Sequence, residues 1–299
     1  MTSAWPNLSE LLAPATEAAP VGMIGAPLAA GSVTPGRCDL APAELRRVLR
    51  RVGRYDIDTG CELGSRIADR GDLTLQEMSI EEATAPIRDA VADSVERHSL
   101  TLLIGGNNAV TRPGVQGLAQ ALGVSLERVG LITLDAHFDM RDTRGGLGNG
   151  NPVRGLIEDG LPGRNIAQVG LAPFANSRAM HEDALACGNR VVTLAECRRG
   201  GVAAAVGSAL DHVAHCDALL LDCDIDVIDR SQFPAAPGAR PAGLPAADFL
   251  AAVRHLAGEP RVAVIDLTEW DPPLDSSDLS ALTAGRWLAE VLAGFESRA

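Results

Sequence analysis

Residues 129–139 read VGLITLDAHFD. The run from Val129 to Leu134 is apolar without the polar alternation of a half-exposed strand, which is how a strand buried on both faces of a parallel sheet is written. Its end is different: Asp135, His137 and Asp139 place two carboxylates and an imidazole within a few positions. If the strand continues to His137, the two-residue period sends Asp135 and His137 to the same side, and Asp139 can curl back from the loop. All three can then touch one ion or a pair. The plainer alternative is a polar loop with two solvated aspartates.

The pattern repeats along the chain. Strands are predicted at 21–25, 66–71, 100–106, 129–137, 165–171, 190–196, 217–226 and 261–269, with helices at 80–97, 113–122, 177–187, 201–214, 246–257 and 278–296. Strand followed by helix, repeated this often, predicts an α/β fold: a three-layer αβα sandwich around a mostly parallel sheet of about eight strands. No Pro/Gly/Ser linker divides the alternation, so 1–299 reads as a single domain, with 1–19 as an irregular N-terminal extension. Several strands end in chemically capable residues: GGNN (105–108), DAHFD (135–139), DCDID (222–226) and TEWDPP (268–273). In open α/β sheets, ligands bind outside the carboxyl ends of the strands, so these segments converge on one rim.

Composition excludes several functions. Apolar residues make up 46% and aromatics 3%, a palette of Ala, Val, Leu and Ile suited to helices packed on a buried sheet. A formal charge of −13 opposes nucleic-acid binding, which rests on basic patches. All 26 basic residues are arginine, and without lysine there is no Schiff-base, P-loop or general-base lysine. Cys38, Cys61, Cys187, Cys197, Cys216 and Cys223 form no C-x-x-C pair and read as buried thiols in a reducing compartment. No basic residue precedes Arg37, and Pro6, Pro14 and Pro20 break the N-terminal apolar stretches, so neither a signal peptide nor a membrane span is predicted. The expectation is a soluble cytoplasmic protein with no membrane partner.

The segment LDCDIDVID carries Asp222, Asp224, Asp226 and Asp229. On a strand, Asp222, Asp224 and Asp226 would face one way and repel one another unless a cation or an arginine compensates. A phosphatase-type nucleophile fits poorly because that chemistry needs a lysine, and a calcium loop lacks its turn glycine and distal glutamate. Carboxylates with one imidazole and no thiolate suit Mn²⁺ or a similar ion better than a structural zinc. Two ions about 3.5–4 Å apart, bridged by shared aspartates, would activate a water at neutral pH.

These residues resemble the ureohydrolase family, the arginase, agmatinase and formimidoylglutamase group. ADRGD (68–72) is similar to that family's D-x-G-D stretch, GGNN to G-G-D-H, DAHFD to D-A-H-x-D, DIDVIDRSQFPAAPGARPAGL (224–244) to D-x-D-x-x-D-P…P-G…G-G-L, and TEWDPPLD (268–275) to E-x-N-P. The resemblance implies an arginase-like fold and a pair of metal ions bridged by Asp135 and Asp224. It assigns His137 and Asp226 to one ion, and Asp139 and Asn108 to the other. It makes Asp139 and Glu269 catalytic, Asp139 orienting the nucleophile and Glu269 receiving the cationic amidine or guanidine of the substrate. LDAHFD, NGNPVRG (149–155), QVGLAPFANS (168–177) and PGARPAGL (237–244) look most like the formimidoylglutamase-type branch found beside histidine metabolism. Asn149, Asn151 and Arg154 are candidate substrate-binding residues, with the Arg154 fork suited to a carboxylate. Trimers or hexamers are implied as well.

The chain departs from the pattern at Asn107 and Asn108, where the family has Asp and His, and at Asn149, where a downstream His often assigned to proton shuttling stands. An amide oxygen carries no charge and is a weaker donor to a transition ion than imidazole, so one metal position is expected to bind less tightly. The expected ion is Mn²⁺, with Ni²⁺, Co²⁺ or Zn²⁺ as alternatives. His98, His181, His212, His215 and His255 match no motif and read as packing or surface residues. Three functions remain open: hydrolysis of a linear amidine or guanidine, with N-formimidoyl-L-glutamate preferred and agmatine or a guanidino acid next; a binding or regulatory protein that has lost catalysis; and amidine transfer to an amine.

Overall fold

A computed structural model describes residues 5–298. In chain order come β1 (Leu12–Pro14), β2 (Val21–Ala26), α1 (Ala41–Val48), a small hairpin of β3 (Tyr55–Asp56) and β4 (Cys61–Glu62), β5 (Ile67–Asp72) and α2 (Ile80–Arg97). They are followed by β6 (Leu100–Gly105), α3 (Thr111–Leu122), β7 (Val129–Leu134), α4 (Pro152–Glu158), β8 (Ile166–Leu171), α5 (Arg178–Cys187) and β9 (Arg190–Thr193). The chain continues through α6 (Leu194–Gly200), α7 (Val202–His212), β10 (Ala218–Asp224), α8 (Ala246–Ala257), β11 (Val262–Thr268) and α9 (Leu279–Glu296).

Nine strands form one sheet in the order β1-β5-β2-β6-β11-β10-β7-β8-β9, and every pairing in it is parallel. The strand period sorts side chains between two cores. Leu219, Leu221 and Cys223 of β10 pack with residues of α1, α7, α8 and α9, whereas Leu220 packs with residues of α2, α3 and α4 on the opposite face. Both faces are covered, which is why β2, β6, β7, β8 and β10 are buried along their whole length. The three-layer αβα architecture therefore stands as expected.

Element ends differ from the sequence reading for local reasons. β7 stops at Leu134 rather than His137, and β10 at Asp224 rather than Asp226. At each end an aspartate turns the chain: Asp135 Oδ1 accepts the His137 N–H at 2.6 Å, and Asp224 Oδ1 accepts the Asp226 N–H at 3.0 Å. Such i to i+2 bonds compete with the ladder, so the ligands gather by curling and not by strand alternation. The strand expected over 190–196 gives way at Thr193, whose hydroxyl accepts the Glu196 N–H while Glu196 accepts the Thr193 N–H, a capping box that opens α6. The stretch expected to be irregular over 1–19 contains a 3₁₀ turn at Leu8–Leu11 and the edge strand β1; residues 1–4 lie outside the described residues. Helices α1 and α4 were not anticipated. Among the cysteines, Cys61 is exposed and Cys187 half-buried, while the other four are buried as expected. No helix among the described residues is long and apolar enough to cross a membrane.

The fold places the chemistry at the centre of one rim. β7 and β10 are neighbours, yet the chain leaves β7 towards β8 on one side and leaves β10 towards β11 on the other. That reversal opens a crevice at the carboxyl ends of the strands.

Candidate metal centre

The loop after β7 delivers Asp135, His137 and Asp139, the end of β10 delivers Asp224 and Asp226, and Glu269 follows β11. The ligand atoms of Asp135, His137 and Asp226 lie within 4.8 Å of one another, as do those of Asp135, Asp139 and Asp224. Asp135 belongs to both groups. His137 Nδ1 is 2.9 Å from Asp226 and 3.5 Å from Asp135. Asp139 and Glu269 both have left-handed backbones, at φ 50° and 61°, a strained state for residues with a Cβ that is kept at functional positions. Glu269 Oε1 accepts from the Asn108 backbone N–H at 2.8 Å and from Asn149 Nδ2 at 2.9 Å, so two amides aim its carboxylate.

Asn108 is held from behind. Its Nδ2 donates to Asp139 Oδ2 at 2.7 Å, while its Oδ1 is 2.6 Å from Thr111 Oγ1, which is also 2.9 Å from Asp266 Oδ2. The amide therefore presents a hydrogen-bond donor, not an oxygen, towards Asp139. Asp222 sits one layer deeper, beside Asp266 on β11 in direct register, and does not line the cleft; its expected place among the facing aspartates is taken by Asp224 and Asp226, which the turn brings round.

Burial makes this charge cluster costly. It pushes Asp135 up to about 6 and Glu269 up to about 7, and raises Asp139 and Asp224 well above the carboxylate range, with neighbouring carboxylates adding to the effect. Burial opposes the charge of His137 too, but Asp226 and Asp135 outweigh it and push the imidazole up to about 12. Burial likewise works against ionisation of Asp226, yet His137 holds that carboxyl below its usual value. Asp135 Oδ2 is buried and has no hydrogen-bond partner. Oxygen-rich ligands with one imidazole, an orphaned carboxylate oxygen and too little positive charge fit a divalent cation of the Mn²⁺ class.

The profile of the arginase family matches residues 19–294. The chain belongs to the arginase family. Among its relatives, the formimidoylglutamase of Bacillus subtilis is 29% identical over 280 residues, covering 92% of this chain and 86% of the relative. That of Halobacterium salinarum is 31% identical over 257 residues, covering 85% and 80%. The solved formimidoylglutamase of Bacillus subtilis superposes with a TM-score of 0.93 at 27% identity, over 100% of this chain and 94% of that one. A formiminoglutamase of Trypanosoma cruzi, solved with a pair of Mn²⁺ ions, shares the fold with a TM-score of 0.90 at 22% identity, over 99% and 100% of the two chains.

Within this arginase-family chain, His137, Asp139, Asn149, Asp224, Asp226 and Glu269 line the cleft. Asn151 does not: its side chain donates to the carbonyls of Asp142 and Gly146 and accepts the Gly148 N–H, so it shapes the loop that carries Asn149. Arg154 also stays outside, paired with Asp183 of α5. The ADRGD stretch is likewise structural, because Asp69 and Asp72 clamp Arg46 of α1 at 2.7 and 2.6 Å. Of the histidines set aside, His181 stacks on Phe138 with ring centroids 5.5 Å apart, and none enters the cleft. Sequence reading passed over Asn176, Arg141 and Arg240, all of which line it. Asn176 accepts the Phe138 N–H and donates to the Ala136 carbonyl, pinning the loop that bears His137. Arg141 stands two positions beyond Asp139, a signal that proximity alone could have supplied.

The proton inventory has a measurable consequence. Because Glu269, Asp135, Asp139, Asp224 and His137 are raised in the folded chain, that state binds more protons than the unfolded chain, and metal-free stability is expected to fall as pH rises above about 4, through the range where Asp135 and Glu269 ionise and on towards that of the His137 imidazole. The lowered Asp226 acts in the opposite sense only below about pH 4. A cation displaces these protons, so Mn²⁺ binding is expected to tighten as pH rises and to release protons near pH ~7. Calorimetric titration in buffers of different ionisation enthalpy measures that release; a proton-neutral isotherm would contradict it.

Proposed function

We propose that this chain hydrolyses N-formimidoyl-L-glutamate to formamide and L-glutamate, using a pair of divalent ions for which Mn²⁺ is the first choice. The observation that carries the reading is the floor of the cleft, where two groups of candidate ligand atoms share Asp135, with Glu269 aimed beside them by Asn108 and Asn149. The relatives named formimidoylglutamase support it. Asp135, His137 and Asp226 would hold one ion, and Asp135, Asp139 and Asp224 the other. Bound there, the ions supply Lewis acidity at neutral pH.

The protein's own groups do the rest. Glu269 accepts the N–H groups of the cationic amidine and holds its carbon over the floor. Asp139 orients water and takes its proton through the carboxylate oxygen that faces the cleft. Water adds to the amidine carbon, the C–N bond to the glutamate nitrogen breaks, and that nitrogen leaves with the transferred proton. Asn108 steadies Asp139 through its amide N–H, and because it offers no lone pair there, its half of the metal centre is the weaker half. The reading includes the cytoplasmic location and the trimeric or hexameric assembly expected from the family.

The test is a substrate panel with Mn²⁺-loaded protein: N-formimidoyl-L-glutamate, agmatine and guanidino acids, assayed for formamide, ammonia and urea. Release of formamide is expected from the first alone at efficient rates. Efficient urea release would move the substrate to a guanidine, and folded, metal-loaded protein that turns over none of them would overturn the hydrolase reading.

A further inference from the structure

Most arginines of this chain are ion-paired, as expected where acids outnumber bases 39 to 26. Arg141 and Arg240 are exceptions. Both line the cleft, and neither has a carboxylate within ion-pair distance among the described residues. They reach it on two different loops, those that follow the neighbouring strands β7 and β10. Arg141 follows β7, its backbone N–H donates to the Gly150 carbonyl, and its stem crosses Gly150 so closely that a Cβ there would meet Arg141 Cδ at 2.8 Å and Nε at 2.9 Å. Arg240 follows β10 on a loop that passes directly over the floor, where a Cβ on Gly238 would meet Asp226 Oδ2 at 1.9 Å and His137 Cε1 at 3.1 Å. That loop is braced: Arg230 Nη1 donates to the carbonyls of Ala236, Pro237 and Ala239.

The cleft is thus polarised. Its floor is a cluster of carboxylates that attracts cations, and its lining carries two guanidinium groups without a carboxylate partner among the described residues, Arg240 donating through Nη1 only to the carbonyls of Gly238 and Ala239. We propose that Arg141 and Arg240 are the specificity-determining residues, each gripping one carboxylate of a dicarboxylate amidine, so that the site takes an N-formimidoyl amino diacid and rejects a substrate with a cationic tail. This rests on the amidine hydrolysis proposed above and deepens it. An arginine fork pairs with a carboxylate through two parallel hydrogen bonds. Two forks lining one cleft suit a molecule that bears one carboxylate beside the amidine nitrogen and a second at the end of its side chain. A primary ammonium in the same space would meet like charge from both groups.

The experiment compares wild type, Arg141→Met and Arg240→Met, each Mn²⁺-loaded and matched in thermal melting, on N-formimidoyl-L-glutamate, on N-formimidoyl-γ-aminobutyrate, which lacks the carboxylate beside the nitrogen, and on N-formimidoyl-α-aminobutyrate, which lacks the distal one. Each single variant is expected to lose about 10- to 100-fold in kcat/KM on the full substrate. Each should also become indifferent to deletion of one carboxylate while remaining sensitive to deletion of the other, with the two variants showing opposite preferences. Calorimetric titration of L-glutamate into the same proteins gives a readout free of turnover, with the same fold-loss of affinity expected in each variant. If wild type hydrolyses none of the three compounds, the formimidoylglutamate reading fails and the glutamate titration decides the arginine assignment by itself. Wild-type affinity for L-glutamate in either variant, or an unchanged ranking of the three substrates, would overturn it.

Discussion

Replacing Asp135 by Asn is expected to lower kcat/KM on N-formimidoyl-L-glutamate by about three orders of magnitude or more, and to reduce the metal content of the purified protein. Asp135 is the residue shared by the two groups of ligand atoms, so this one change removes a negative charge from both metal positions. Asn keeps the shape of the side chain, and its oxygen can still accept the His137 N–H that Asp135 Oδ1 accepts at 2.6 Å. The metal-free variant should be no less stable than wild type, because one carboxyl whose burial opposes ionisation is gone. Metal analysis, steady-state kinetics and thermal melting on one preparation separate these effects. Activity within tenfold of wild type in a protein that still holds two ions would show that the hydrolytic centre lies elsewhere.

Replacing Glu269 by Gln addresses the other end of the reacting group. The variant is expected to lose about 100-fold in kcat/KM while keeping its metal, since a hydrogen bond to a charged partner contributes roughly 2–3 kcal/mol. Glu269 belongs to neither ligand group, and its Oε1 accepts the Asn108 and Asn149 N–H groups, which fix the carboxylate towards the cleft. Gln preserves length and the left-handed backbone, so the loss reports the missing charge opposite the amidinium. Kinetics paired with metal content check this. A loss below about fivefold would mean that the amidine is held by another group, whereas a fall in bound metal would make Glu269 a ligand.

The parts of this molecule that were legible in the sequence are those where one physical requirement dominates. Strands buried on both faces must be apolar throughout, so β6, β7, β8 and β10 stand out as runs, and the candidate metal ligands announce themselves because several carboxylates on so apolar a framework call for a compensating charge. Features settled by distant partners were not legible. Arg154 and Arg141 look alike in sequence, but Asp183 of α5 takes the first and no carboxylate among the described residues takes the second. Asn151 and Asn149 belong to one loop, and only the carbonyls of Asp142 and Gly146 decide that Asn151 faces inward to the loop. Strand ends at Leu134 and Asp224 were overrun because the side-chain turns that stop them depend on rotamers, not on residue type alone. β1 is three residues at a sheet edge, too short for any period to register.

The strand order also governs how the chain can assemble. β6 and β7 are consecutive parallel strands of the sheet in sequence, yet they never touch: β10 and β11, encoded some 90 to 130 residues after β7 begins and separated from it by α4 to α8, are wedged between them. The sheet is closed across its middle by the two strands that arrive near the end of the polypeptide, a pairing of large sequence separation that slows folding. Since Asp135, His137 and Asp139 come from one side of that gap and Asp224 and Asp226 fill it, an N-terminal fragment ending before residue 218 carries three of the five candidate ligands and completes neither group. The grouping of these side chains therefore belongs to the finished sheet alone: neither cluster exists until the two central strands encoded towards the end of the chain lie between β6 and β7.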